Sequence, residues 1–341
     1  MNLLSHIWPS SRTVSVIGMC KNAGKTVTLN TLVKEASEAG IQPGIISSGR
    51  DGEAVDAVTL KEKPAVHVKK GYFIVSLERL ICSDRTTAVL EIVETTGFNT
   101  PLGHVVIARV TTPGTVEISG PGSMSKIKKM TDKLHAYGAD IVFMDGSIDR
   151  KALSAPVISE ATVLASGAAY AGSMEKVIKD TAHTVNLLSL PLAPDGILKE
   201  ARELINKKQS SIIMRDGTWE TYSTRTTLTG AKLLEGLITG NTSTILLHGA
   251  LTKRSLPKNK YGLEITVIAR DPTCIFLNPE ELRILRGRGY SFKVLYCSPV
   301  SAVTINPHSP DGFDFDSEEF LARMEETLNP VPVANVMRLH P

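Results

Sequence analysis

The feature that most limits what this chain can fold into is the run from Thr13 to Val27, TVSVIGMCKNAGKTV. Val14 to Met19 is apolar and rich in β-branched residues, which predicts a buried strand. A short polar loop follows, and from Lys25 the pattern changes. Leu29, Leu32, Val33 and Ala36 recur at i, i+3, i+4 and i+7, one face of a helix. Gly40 stands where that helix should end, with Pro43 shortly beyond. Strand, glycine-containing loop and helix are the three parts of a phosphate cradle. The strand fixes the start, the loop turns its N–H groups inward, and the helix brings its N-terminal dipole to the anion. In that role Gly24 permits close backbone approach, Lys25 reaches the β- and γ-phosphates, and the Thr26 hydroxyl suits Mg²⁺.

The consensus GxxxxGK[ST] puts its first glycine at position 19, where this chain has Met19, and Gly18 comes one residue early. If the first glycine serves the turn, a modest rearrangement of the loop absorbs the shift. The expected nucleotide contacts are then Lys21, Asn22, Ala23, Gly24, Lys25 and Thr26. Lys21 is a second lysine in the loop. One subclass of P-loop ATPases carries such a lysine to reach a nucleotide across a dimer interface, but there the pair is spaced one residue wider than Lys21 and Lys25. A solvated or local phosphate contact is the expectation for Lys21, and a loop contact rather than thiol chemistry for Cys20.

Mg²⁺ bound to ATP usually takes one or two carboxylates, directly or through water. In such folds these sit at the carboxyl ends of neighbouring strands. IVFMDG offers one, an apolar strand ending at Asp145. GRDGEAVD offers another set, Asp51, Glu53 and Asp56, with Arg50 beside them. Asp51 is the expected second metal carboxylate or the residue that orients the attacking water. Glu94, closing the run VLEIVE before Thr95-Thr96-Gly97, reads as a third strand-end carboxylate, able to replace Asp145 at the metal or to face a substrate.

The strand–loop–helix–strand opening predicts an α/β fold of P-loop NTPase type, a mostly parallel sheet flanked by helices. Between Pro64 and Ser119 the chain reads as an inserted β meander, with strands at 88–93, 104–110 and 115–119. A helix from Ser123 or Ser125 to about Tyr137, a strand at ADIVFMDG, another at 161–165 and a helix at 174–182 complete this part. PLAPDG, residues 191–196, combines turn formers and marks the expected boundary. A nucleotide-binding domain over 1–190 and a second α/β unit over 191–341, available to a partner, are the expectation. NPHSPDG, residues 306–312, reads as a site loop or simply as a turn with two prolines, the turn being the expectation.

Composition narrows the function. A net charge of +3 over 341 residues argues for neither nucleic acid nor an anionic membrane surface. The lysines of the helix around Lys126, Lys128, Lys129 and Lys133 lack the aromatic neighbours of a base-stacking surface and read as a solvated face. Four dispersed cysteines, with no CxxC pair, suggest reduced thiols and a cytoplasmic protein. The opening MNLLSHIWPSSR reads as neither signal peptide nor anchor. No HxxxH or HExxH pair occurs, so no metal beyond the nucleotide's Mg²⁺ is expected. No NKxD-type guanine reader follows a late strand, which leans to ATP.

Several strings, in order, resemble the smaller subunit of lysine 5,6-aminomutase reactivases: VIGMCKNAGKTVTLN, SSGRDGE, TPLGHVVIARV, VFMDGSIDR, TGAKLLEGL, AVTINPHSP and PVPVANV. The resemblance implies an ATP-driven chaperone subunit. Its client would be lysine 5,6-aminomutase, which uses adenosylcobalamin and pyridoxal phosphate and accumulates damaged cobalamin when turnover fails. Its partner would be a larger, MutS-like ATPase subunit. It further implies that Lys25, Thr26 and Asp145 hold Mg-ATP and that Asp51 is the water-orienting or switch residue. A different reading is a small-molecule ligase or kinase resembling dethiobiotin synthetase, whose acidic, glycine-containing turn ETTGFNTPLG loosely matches. A third is a structural subunit that binds nucleotide without hydrolysing it.

Overall fold

The computed structural model describes residues 2–47, 65–146, 159–223, 227–297 and 299–339. The chain forms two compact units: Met1–Ala182 together with Val300–Pro341, and His183–Pro299. The first unit runs through β1 (Thr13–Gly18), α1 (Lys25–Glu38), β2 (Pro43–Ser47), β3 (Val66–Val68), β4 (Phe73–Leu77), α2 (Glu78–Ile81), β5 (Val89–Thr100), β6 (Gly103–Thr112), β7 (Gly114–Val116), α3 (Met124–Ala136), β8 (Ile141–Asp145) and β9 (Ala161–Gly167). Helix α4 (Met174–Leu188) carries the chain into the second unit. That unit holds α5 (Asp195–Asn206), β10 (Ser210–Met214), β11 (Trp219–Tyr222), α6 (Thr227–Leu237), β12 (Thr242–Leu247), β13 (Ile265–Ala269), α7 (Pro279–Gly287) and β14 (Tyr290–Val294). The chain then returns to the first unit with β15 (Val300–Asn306), α8 (Ser317–Leu328), β16 (Val333–Asn335) and α9 (Val336–Leu339).

Among the described residues, nine strands of the first unit form one sheet in the order β16-β15-β9-β1-β8-β2-β4-β6-β5. Neighbours from β16 to β4 are parallel, while β6 and β5 complete the sheet antiparallel. The fold is therefore mixed α/β, with a large, mostly parallel central sheet flanked by helices. The β meander joins the main sheet, which β5 and β6 extend at one edge, while among the described residues β3 and β7 pair apart from it. One expectation is corrected. The last segment is not part of a C-terminal domain, because β15 pairs with β9 and β16 with β15.

Strands β1, β2 and β4 are buried on both faces, and β8 is so up to its last residue, as parallel strands between helices should be. The pleat sends Val14, Val16, Ile45, Ile141 and Phe143 to one face, where Leu29, Leu32, Val33 and Ala36 of α1 share their core. Ile46, Val142 and Met144 take the opposite face, against Ile127, Met130 and Leu134 of α3. The period of α1 read from the sequence is thus the period of its buried stripe.

The second unit is an α/β unit in its own right. Its sheet has the order β11-β10-β12-β13-β14, with β12, β13 and β14 parallel and β10 and β11 antiparallel. Ile245, Val267 and Phe292 pack with Leu282 and Leu285 of α7. Leu246 and Ile268 share a second core with Ala201 and Ile205 of α5. Among the described residues, no helix is long and apolar enough to cross a membrane.

Candidate functional site

The loop between β1 and α1 lies at the carboxyl end of a central strand. β8 flanks the loop's strand on one side and β9 on the other, so the chain's connections part here, the kind of position at which open α/β sheets bind ligands. Met19 is not part of the turn. Its N–H donates to the Ala165 carbonyl at 2.8 Å, continuing the β1–β9 ladder, and its side chain is buried. The loop proper begins at Cys20.

Gly18 has a different job from the one the consensus suggests. It is not in the left-handed region, so it serves no special turn. The side chain of Lys25 lies across it. A Cβ at position 18 would stand 2.7 Å from Lys25 Cγ and 2.8 Å from Cδ. The early glycine therefore makes room for the lysine, which corrects the expectation that it serves the turn. The Lys25 ammonium folds back along the loop and donates to the Cys20 carbonyl at 2.8 Å.

Two left-handed residues shape the loop, Asn22 with φ 60° and Gly24 with φ 94°. Such angles gather successive backbone N–H groups on one side. Gly24 is the N-cap of α1 and supplies no side-chain cap. The first helical bond runs from the Thr28 N–H to the Gly24 carbonyl at 2.9 Å, and the amides of Thr26 and Val27 have no backbone acceptor among the described residues. These first-turn amides carry the positive end of the helix dipole. Lys21 and Asn22 are exposed, Ala23 is buried, and Thr26 is half-buried.

Asp145 ends β8 opposite Val16 of β1 and Ser47 of β2. Alternation from Ile141 and Phe143 puts it on the face that α1 covers, as alternation from Val14 and Val16 does for Gly18. The structure thus brings Lys25, Thr26 and Asp145 to one end and one face of the sheet. Asp51, with Arg50, Glu53 and Asp56, lies outside the described residues.

Glu94 is placed elsewhere. It sits within β5 rather than at a strand end, and β5 is five positions from β1 in the sheet, roughly 24 Å at the usual strand spacing. Its carboxylate pairs with Lys133 and accepts the Tyr137 O–H at 2.9 Å. The Lys133 bond is the main cause that holds its carboxyl below the usual range. Glu94 therefore does not stand in for Asp145 at the loop. The string ETTGFNTPLG forms the β5–β6 hairpin, and Lys126 and Lys129 of α3 lie 5.3 and 6.0 Å from the Phe98 ring. Part of the basic helix face is thus spent on this hairpin.

The chain's return adds a residue that sequence reasoning passed over. Thr304 of β15 meets Thr28 of α1, Oγ1 to Oγ1, at 2.7 Å. Asn306, at the end of the same strand, donates from Nδ2 to the Asn22 carbonyl at 3.2 Å. Nothing in the string NPHSPDG announced that contact, because its partner lies at the other end of the chain.

Cys20 sits under the lysine. Burial pushes its thiol up to about 11, against the opposing pull of the Lys25 charge. A raised value means less thiolate at neutral pH. From the ordinary value of 9.0 to about 11 is two units, so the thiolate fraction is about a hundredfold lower than that of an unperturbed thiol. Iodoacetamide labelling followed by peptide mass spectrometry should show Cys20 modified far more slowly than exposed Cys82, with the Cys20 rate rising about tenfold per pH unit up to about 11. Equal rates at pH 7.5 would show that the thiol is not buried as described.

Comparison with protein-family models, with curated proteins and with solved structures gave no match.

Proposed function

We propose that the chain is a P-loop ATPase acting as the smaller subunit of a reactivase for an adenosylcobalamin-dependent lysine aminomutase. The nucleotide part rests above all on Lys25, folded across Gly18 at the N-terminus of α1 and at the carboxyl end of a central strand. That placement suits a cation meant for the β- and γ-phosphates. Strand β8, next to β1, ends in a carboxylate on the same face, as a Walker-B-like strand should. Thr26 hydroxyl and Asp145 carboxylate are hard oxygen donors of the type Mg²⁺ takes, and they would hold it. An ion held there would supply positive charge to offset that of the phosphates. Asp51 keeps the roles that its place in GRDGEAVD and the resemblance give it, at the metal, the attacking water or a switch.

The chaperone part rests on the resembling strings. VIGMCKNAGKTVTLN, AVTINPHSP and PVPVANV are far apart in sequence. They supply the loop with α1, the Asn306 contact, and Val336, whose Cγ2 would stand 3.4 Å from a Cβ on Gly24. Convergence of three such strings on one loop supports a whole-chain relationship rather than a borrowed motif. The ligase reading loses ground because its string lies on the β5–β6 hairpin. In the proposed role the subunit works with a MutS-like larger subunit, and hydrolysis loosens the aminomutase so that damaged cobalamin leaves.

The test is steady-state ATP hydrolysis with and without cobalamin-inactivated lysine 5,6-aminomutase. A slow basal rate that climbs with added enzyme is expected. A rate unmoved by the aminomutase but raised by a small carboxylic acid would replace the proposal with the ligase reading. Asp145→Asn should weaken Mg²⁺-dependent ATP affinity by about 10- to 100-fold, the range for losing a contact to a charged group. Glu94→Gln should leave that affinity unchanged. If the two variants change places in a calorimetric titration, the metal carboxylate has been misassigned.

A further inference from the structure

We propose that Asn306 is a positioning residue for the phosphate loop. Its side-chain amide holds the Asn22 carbonyl and so sets which way the loop's amides point, a role that rests on the nucleotide reading above. Nδ2 donates to the Asn22 carbonyl at 3.2 Å, and Oδ1 accepts from the His308 N–H at 3.0 Å. Together these bonds fix the amide's orientation. A flip would set Oδ1 against a carbonyl and Nδ2 against an N–H.

The residue being held has a backbone that needs holding. Asn22 sits at φ 60°, which asparagine visits through local hydrogen bonding but does not favour. In a trans peptide the carbonyl and the following N–H point in opposite directions. With the Asn22 oxygen turned to Asn306, the Ala23 N–H turns away from β15. Ala23 is fully buried, so this peptide unit is gripped at both ends.

The surroundings are cut to let Asn306 approach. A Cβ on Gly167 would stand 2.4 Å from the Asn306 carbonyl oxygen and 3.1 Å from its Cβ, and a Cβ on Gly24 would stand 3.4 Å from that same Cβ. Gly167 therefore clears the approach, while a Cβ on Gly24 would meet Asn306 only at ordinary contact distance. Beyond Asn306, the loop is tied to itself. His308 Nδ1 and Asp314 lie 2.9 Å apart, and the Phe315 N–H donates to the Pro307 carbonyl at 2.9 Å. Asn306 is thus anchored on a fixed post rather than a free loop.

Calorimetric titration of the full chain with Mg-ATP, paired with ATP hydrolysis kinetics, tests this. Asn306→Asp keeps an acceptor for His308 but sets an oxygen against the Asn22 carbonyl, and Asn306→Ala removes the donor without adding charge. Both should raise Kd and KM for ATP by about tenfold, the weight of one hydrogen bond with its repulsive replacement or loss, with kcat changing much less. Ser76→Ala is the structural control. Ser76 is buried in β4, donates to the Glu117 carbonyl at 2.9 Å and accepts from the Ser119 N–H at 3.2 Å. It should lower the melting temperature and leave Kd alone. Weakening by Asn306→Asp only would mean charge repulsion, and equal weakening by Ser76→Ala would mean global destabilisation; either overturns the positioning role. Wild-type affinity in both Asn306 variants, with binding lost in Lys25→Ala, overturns it while leaving the nucleotide reading intact. A wild-type chain that binds no Mg-ATP overturns both.

Discussion

Lys25→Ala should remove Mg-ATP binding almost completely at a smaller cost to the nucleotide-free fold. The two halves of that expectation have separate causes. In the fold itself the ammonium donates to the Cys20 carbonyl, and a hydrogen bond from a charged group is worth about 1.5–3 kcal/mol. Against a triphosphate it is a charge facing charge in a partly desolvated loop, and truncating such a partner typically costs about 2–5 kcal/mol. The corresponding rise in Kd is roughly 30- to 4,000-fold. Gly18→Ala should reproduce the defect without touching the charge. Its new Cβ would stand 2.7 Å from Lys25 Cγ, so the lysine must leave its bed across β1. Lys25→Arg should also fail, because a planar guanidinium does not take the place of a compact ammonium on a flexible stem. Calorimetric titration with Mg-ATP, beside thermal melting without it, separates the two effects. Undiminished affinity in Lys25→Ala would remove the cradle, and with it the functional proposal.

Much of the first unit's logic was legible in the sequence because it rests on local pattern. The apolar run at Val14–Met19, the helical spacing of Leu29, Leu32, Val33 and Ala36, and the strand closing on Asp145 are each found within a residue or two of where they were read. In the second unit, the apolar runs TILL and LEITVIA and the helical PEELRILR are equally readable, at β12, β13 and α7. Strands β4 and β10 were not singled out. FIVSL and SSIIM are short and mostly buried on both faces, and runs of that length carry no periodicity to tell strand from buried helix. Glu94 shows a different failure. TTG after VLEIVE has turn chemistry, yet β5 runs through it with shifted register, Gly97 taking φ 70° inside the strand. Glycine in a strand marks a bulge as readily as an end. The role of Gly18 was hidden because motif spacing describes the chain's neighbours in sequence, while its neighbour in space is the lysine seven positions later. Asn306 and Asn22 are 284 residues apart, and no local pattern encodes that pairing.

A chain ending at Pro299 should lose the first unit and keep the second, although composition alone places the domain boundary at PLAPDG. The reason lies in where the returning segment is buried. Val303, Ile305, Phe320, Met324, Leu328 and Val336 are all at most 5% exposed. At roughly 2 kcal/mol for burying each such side chain, these six contribute on the order of 12 kcal/mol, comparable with the whole stability of an ordinary domain. Removal would also strip β9 of the partner that pairs with it from Thr162 to Gly167, turning a strand buried along its whole length into an exposed edge prone to association. Within His183–Pro299 the sheet pairings and core run among its own residues, so its cooperativity is its own. Hydrogen exchange read by mass spectrometry should therefore show protection lost across β1, α1 and β9 and retained across β12, β13 and β14. Retained protection in β1 and β9 would mean that the N-terminal segment folds without its return strands. In that case the Asn306 contact could not be a necessary part of the loop's architecture.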